Sequence, residues 1–189
     1  MMWANSLQNH FLVSLPCLTD SYFQKSITYI FRHDADGAIG LVVNKPSPKK
    51  FNDFFKDSDF KNDEKAQNLK NKPMLLGGPL YQNNGFILHD ESYQGLSSIE
   101  INEEIFLTTK FEIFHSIARG EGPADYLIAL GCAGWSSGQL ESELAANVWL
   151  TIPAEKKTLF DEPYEPKFDS IISNLNFDLG SYASNVGNS

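Results

Sequence analysis

Apolar residues in this chain recur in short β-type runs separated by polar and glycine-rich joints. Residues 11–15 form the first run, and 26–32 and 38–44 form the next two. Between the latter, His33-Asp34-Ala35-Asp36-Gly37 is a hairpin signal. Lys45-Pro46-Ser47-Pro48 ends that unit. Phe51, Phe54 and Phe55 have helical spacing and predict a short packed helix. An exposed loop is expected over about 57–72, where charge dominates. Strands are predicted at 73–76, 85–89, 98–101 and 105–108, with turns at Gly77-Gly78-Pro79 and Asn83-Asn84-Gly85. A helix is predicted over 110–118, with Ile113, Phe114 and Ile117 on one face and a stop at Gly120.

The most informative stretch is 126–152. Residues 126–130 read as a buried strand, and Gly131, Gly134 and Gly138 follow. Then Leu140, Leu144 and Val148 recur every four residues, giving a helix with one apolar face. Ser136 is placed as its N-cap, with Gln139 three residues on completing a capping box. Trp135 and Leu140 then take the positions of a hydrophobic staple. Glu141 and Glu143 fall in the first turns, where the helix dipole favours negative charge. From Val148 the residues are mostly β-formers, closed by Pro153, so the helix leads into another strand. Residues 166–175 predict a last short helix, and the Gly-, Ser- and Asn-rich tail, 176–189, is expected to fray. Strands and helices do not alternate. The fold class expected is therefore α+β: one domain over 1–175, with a mixed or mostly antiparallel sheet and a few helices outside.

Composition narrows the function. With 42% hydrophobic residues in 189, the chain can bury one sizeable core. The net charge is −9, and 15 basic residues face 24 acidic ones without a basic run. A broad nucleic-acid surface, which works by displacing counterions, is disfavoured. Cys17 and Cys132 are too few for a disulfide scaffold and have apolar neighbours, so buried free thiols are expected. Residues 1–10 carry no Lys or Arg and the run 11–15 stops at Pro16, which does not fit a secretory signal. The longest apolar stretch, 126–135, is too short to span a bilayer. A cytoplasmic protein without membrane contact is the expectation.

Gly134-Trp135-Ser136-Ser137-Gly138 fits the G-x-S-x-G nucleophile elbow and lies between a predicted strand and helix. In hydrolases built on that elbow the acid and the histidine follow the serine. The four histidines here, His10, His33, His89 and His115, all precede it. Helix capping is a sufficient role for Ser136. His33 beside Asp34 and Asp36, and His89 beside Asp90 and Glu91, match no metal-ligand spacing, and Asp34–Gly37 is no calcium loop. The glycine pairs fit no phosphate-binding loop. No cofactor and no metal are expected.

Several blocks in order resemble the YqgE/AlgH family of bacterial proteins. They are His10 through Pro16, Tyr29-Ile30 with His33, Gly37 through Pro46, Gly77-Gly78-Pro79, Gly85 through His89, Leu107-Thr108-Thr109, and Leu130-Gly131 with Trp135, Gly138 through Glu141, Glu143 and Asn147 through Leu150. Three positions depart from the family pattern: Phe31, Glu112 and the C-terminal Asn188-Ser189. The resemblance implies coiled, partly bifurcated sheets with helices packed outside. It also implies a cytoplasmic bacterial protein, some of whose relatives are labelled transcriptional regulators. The function expected is a non-enzymatic binding or regulatory module with an unidentified protein or small-molecule partner. Its candidate surface comprises Trp135, Gln139, Glu141, Glu143 and Asn147, with Asn44, His89 and Thr109 brought near by the sheet. The alternative is a hydrolase using Ser136 or a histidine-carboxylate pair.

Overall fold

The computed structural model of the chain describes residues 6–54, 69, 71–95 and 97–175. The strands are β1 (His10–Ser14), β2 (Ile27–Asp34), β3 (Gly37–Val42), β4 (Pro46–Lys50), β5 (Pro73–Leu76), β6 (Leu80–Asp90), β7 (Ile99–Glu100), β8 (Ile105–Thr108), β9 (Tyr126–Ser136) and β10 (Trp149–Pro153). The helices are α1 (Phe51–Phe54), α2 (Glu112–Arg119), α3 (Gln139–Ala145), α4 (Lys156–Phe160) and α5 (Lys167–Asn174). The strands join in the order β10-β1-β2-β3-β9-β6-β8-β7, and β5 links β4 to β9. Among the described residues only β5 and β9 pair in parallel. This is an α+β domain with a curled, mostly antiparallel sheet.

β9 organises the molecule. Its first half pairs with β5 and β6, and its second half with β3. The two halves meet at Gly131, which holds φ at 72°. A left-handed residue re-aims the strand without ending it, so β9 continues to Ser136 where a shorter strand was expected. The turn from β5 to β6 lies directly on this bend. A Cβ on Gly78 would sit 1.9 Å from the Cys132 carbonyl carbon, so only glycine lets the chain pass. Leu80 pairs with Cys132, and Gly85 then pairs with Leu130, which makes 81–84 bulge outward.

Three clusters fill the two faces of the sheet and the region under α2. Phe11, Val13, Ile27, Tyr29 and Leu41 form one with Leu159, Phe168 and Ile171 of α4 and α5. The alternate residues Leu12, Ile30 and Ala38 pack with Trp135, Leu140 and Trp149 on the opposite face. Met74, Ile87 and Ile128 meet Ile113 and Phe114 of α2, together with Phe51. Each fully buried Leu, Ile or Phe contributes roughly 1.5–3 kcal/mol.

Several local expectations change. Ser136 is the last residue of β9, and Gly138 takes the N-cap position of α3 in a left-handed conformation. The staple is nonetheless present, since Trp135 and Leu140 share a cluster. Pro46 to Lys50 form an edge strand, a sheet position that tolerates proline. Cys132 is a buried free thiol, but Cys17 is exposed, with its Sγ–H donated to the Asn147 carbonyl at 3.1 Å. Most of the expected loop 57–72 and the whole tail 176–189 lie outside the described residues. Within that loop, Leu69 is core, at 1% exposure.

Candidate functional site

The corner between β9 and α3 gathers the polar side chains singled out by the sequence. Glu143 faces back along its helix, and its Oε2 accepts both indole N–H groups, from Trp135 at 2.8 Å and Trp149 at 2.7 Å. The two rings meet edge to face with centroids 6.0 Å apart. Gln139 Nε2 donates to Glu143 Oε1 at 3.0 Å, so the Gln139 oxygen points the other way. That oxygen accepts from the Ser136 amide at 3.1 Å and from its hydroxyl at 3.2 Å. Half of the capping box survives: the glutamine reaches back to the backbone, while the Ser136 hydroxyl donates and caps nothing.

Glu141 points to β2. Its Oε1 lies 3.0 Å from His33 Nε2. The Leu7 amide donates to His33 Nδ1 at 2.9 Å, so the ring proton sits on Nε2 and is donated to the carboxylate. Asn147 closes α3. It holds φ at 56°, its amide donates to the Leu144 carbonyl, and the Val148 amide donates to the Glu143 carbonyl. Those two bonds are the Schellman arrangement, in which asparagine tolerates the left-handed position.

Asn44, His89 and Thr109 stand elsewhere. Asn44 accepts from the Ile27 amide at 2.7 Å and donates to the Lys25 carbonyl at 2.9 Å, fixing the loop before β2. His89 pairs in register with Tyr126, at the other end of β9. About 30 Å of strand contour separates that end from Trp135. His89 is fully buried, and burial pulls its pKa below the ordinary imidazole value. Thr109 is exposed, just past the end of β8.

Beside the corner lies an open trough of about 380 Å³ on the face of β2, β3 and β9. Gly37, Ile39, Cys132 and Gly134 line it, with Arg32 at one side and Leu80 and Tyr81 at the other. Arg32 Nε donates to Asp34 Oδ2 at 2.7 Å, which raises the guanidinium and holds the carboxyl below its usual range. Burial pushes the Cys132 thiol up, so it stays protonated at neutral pH and is a poor nucleophile. Leu80 is 46% and Tyr81 70% exposed, and Tyr81 holds φ at 52°. A large aromatic held in that conformation and left in solvent is uncommon. The sequence reading missed this wall. Its only signal is an apolar pair directly before the Gln82-Asn83-Asn84-Gly85 turn.

Among the described residues no imidazole hydrogen-bonds to the Ser136 hydroxyl, and His33 is held by Leu7 and Glu141. Also among the described residues, no group of three His, Cys, Asp or Glu side chains is placed to hold a metal ion.

A curled sheet that bends and changes partners at one glycine, with a helix clamped to its end by a two-indole carboxylate, defines a distinct α+β class. Comparison with known proteins assigns it. The AlgH-like family matches residues 11–180, and this chain belongs to that family. It is 38% identical to a UPF0301 protein of Nitrosospira multiformis, over 98% of this chain and 99% of that one. It is 40% identical to a UPF0301 protein of Stenotrophomonas maltophilia, over 92% of each. The solution structure of the AlgH protein from Pseudomonas aeruginosa superposes with a TM-score of 0.79 at 34% identity, covering 97% of this chain and 96% of that chain. A crystal structure from Corynebacterium diphtheriae, at 16% identity and a TM-score of 0.72, covers 96% and 94% and shares the fold.

Proposed function

We propose that this AlgH-like protein is a non-enzymatic binding module whose contact surface is the trough beside the β9–α3 corner. One observation carries the reading. The polar side chains of the corner are satisfied by each other, while the neighbouring wall leaves Leu80 and Tyr81 facing solvent over an open, partly apolar floor. Convergent apolar and polar groups around an open cavity are the usual makings of a binding site. A regulatory role would then be exerted through a protein or small-molecule partner, since the net charge of −9 disfavours direct nucleic-acid contact. The proposed compartment is the cytoplasm, in keeping with two cysteines kept as free thiols.

The test has two arms. Purified protein is offered small esters and phosphoesters, and no turnover is expected. Hydrolysis abolished by Ser136→Ala would overturn the reading. In parallel, a fragment screen read by amide NMR is expected to move Gly37, Tyr81 and Gly134 together, with the response lost in Tyr81→Ala. Binders that gather elsewhere and leave those amides unmoved would sink the assignment of the trough.

A further inference from the structure

A second cavity, of about 310 Å³, lies between α4, α5, β1 and β10. Its walls are apolar, from Ile152, Ile171 and Leu175 among others, and its polar groups include Glu155, Thr158 and Glu162. Glu162 is the unusual member. Its Oε2 is closed off from solvent and has no hydrogen-bond partner. Its Oε1 receives only a long bond, 3.5 Å, from the Thr158 hydroxyl.

A carboxylate against apolar walls is costly unless a cation or several donors meet it. The buried ammonium of Lys167 interacts electrostatically with Glu162 but is held back from direct contact. Lys167 Nζ donates to the Thr158 carbonyl at 2.6 Å and the Leu159 carbonyl at 2.8 Å, capping the end of α4. Among the described residues, no ion pair reaches Glu162. The charge is delocalised over both oxygens, so a cation on Oε1 would neutralise the sealed oxygen as well. A metal ion would need many oxygen ligands, which these walls do not supply.

We propose that this cavity binds a primary ammonium carried on a compact apolar body, with Glu162 as counter-ion, Thr158 beside it, and Ile152 and Ile171 against the apolar part. Glu155 at the same cavity adds a second negative charge that favours cations over neutral or anionic ligands. The proposal is independent of the trough, and ligands found or missed there do not bear on it. A free alkyl- or arylammonium and a lysine side chain share this chemistry.

Amide NMR titration of the full chain with 2-phenylethylamine is expected to give saturable shifts at Thr158, Glu162 and Ile171. The neutral isostere 2-phenylethanol should bind at least about tenfold more weakly, and Glu162→Gln should remove that preference. A parallel titration with an N-acetyl-lysine amide distinguishes the source: binding as tight as the arylamine assigns a partner's lysine, and weaker binding a free amine. Equal binding of the amine and the alcohol, or no shift by the amine, would overturn the proposal.

Discussion

The two ends of β9 each stand beside a buried histidine, and they settle it by different means. At the far end His33 lies one strand over from Ala38, itself paired with Trp135, and it donates to the half-exposed carboxylate of Glu141. At the near end His89 is sealed between Phe106, stacked at 5.9 Å, and Tyr93. It is satisfied by a carbonyl and a hydroxyl rather than a carboxylate. One end ties polar groups into a network at the surface; the other buries them in an apolar cage. The difference follows from the bend at Gly131, beyond which β9 leaves β5, keeps only Leu80 of β6 opposite Cys132, and pairs with β3.

Breaking that bend is therefore the strongest perturbation. Gly78→Ala puts a methyl group 1.9 Å from the Cys132 carbonyl carbon, backbone against backbone, with no flexible side chain to yield. The expected cost is about 4 kcal/mol or more, read as loss of soluble folded protein or a collapsed urea midpoint. Gly85→Ala is the matched control, since a Cβ there meets nothing within 4 Å. It should change stability by no more than about 0.5 kcal/mol. Similar behaviour of the two variants would remove the close crossing from the account of the fold.

The corner comes next. Glu143→Ala strands two indole N–H groups that now share one carboxylate oxygen. An abandoned buried donor costs roughly 1–3 kcal/mol, so a loss of about 3 kcal/mol is expected by urea unfolding. The near-UV dichroism of Trp135 and Trp149 should change as their edge-to-face contact relaxes. Glu143→Gln keeps an acceptor and should lose less. A loss below about 1 kcal/mol for the alanine variant would mean that the carboxylate is incidental and free for another role.

Much of this is legible in the chain, for identifiable reasons. Short continuous apolar runs place β1, β2, β3, β5 and β8 within a residue or two, because these strands are largely buried on both faces and are bounded by polar and turn residues. The family blocks point to the fold through the spacing of Gly77-Gly78-Pro79 and of 130–150. What stays hidden are relations between distant residues. Nothing local says that Glu143 will serve Trp135 and Trp149 together, or that Asn147 is a helix terminator before it is anything else. Ser136 reads as a cap because Gln139 sits three residues on, yet the bond between them runs mostly in the other direction. Leu80 and Tyr81 escape sequence reasoning because exposure is set by the bulge at 81–84, which only the register of β6 against β9 reveals.

The near end of β9 yields the smallest effect and the cleanest sign. His89 Nδ1 lies 2.9 Å from the Asp90 carbonyl, which can only accept, so the ring proton is on Nδ1. Nε2, 3.0 Å from the Thr108 hydroxyl, is then an acceptor, and Ser98 in turn donates to Thr108 at 2.9 Å. This arrangement suits the neutral ring. Burial lowers the pKa and outweighs the opposing pull of the Asp90 carbonyl and charge. As pH falls, the unfolded chain takes up the proton first, near the ordinary imidazole value of 6.5. Stability is therefore full above that value and declines below it, by at most about 1.4 kcal/mol per pH unit for this one proton. Urea midpoints at about pH 7.5 and about pH 5.5 should diverge more for the natural chain than for His89→Gln, in which no ring titrates. If the two proteins lose stability in parallel on acidification, the buried ring is already comfortable with its proton, and the contrast between the two ends of the strand dissolves.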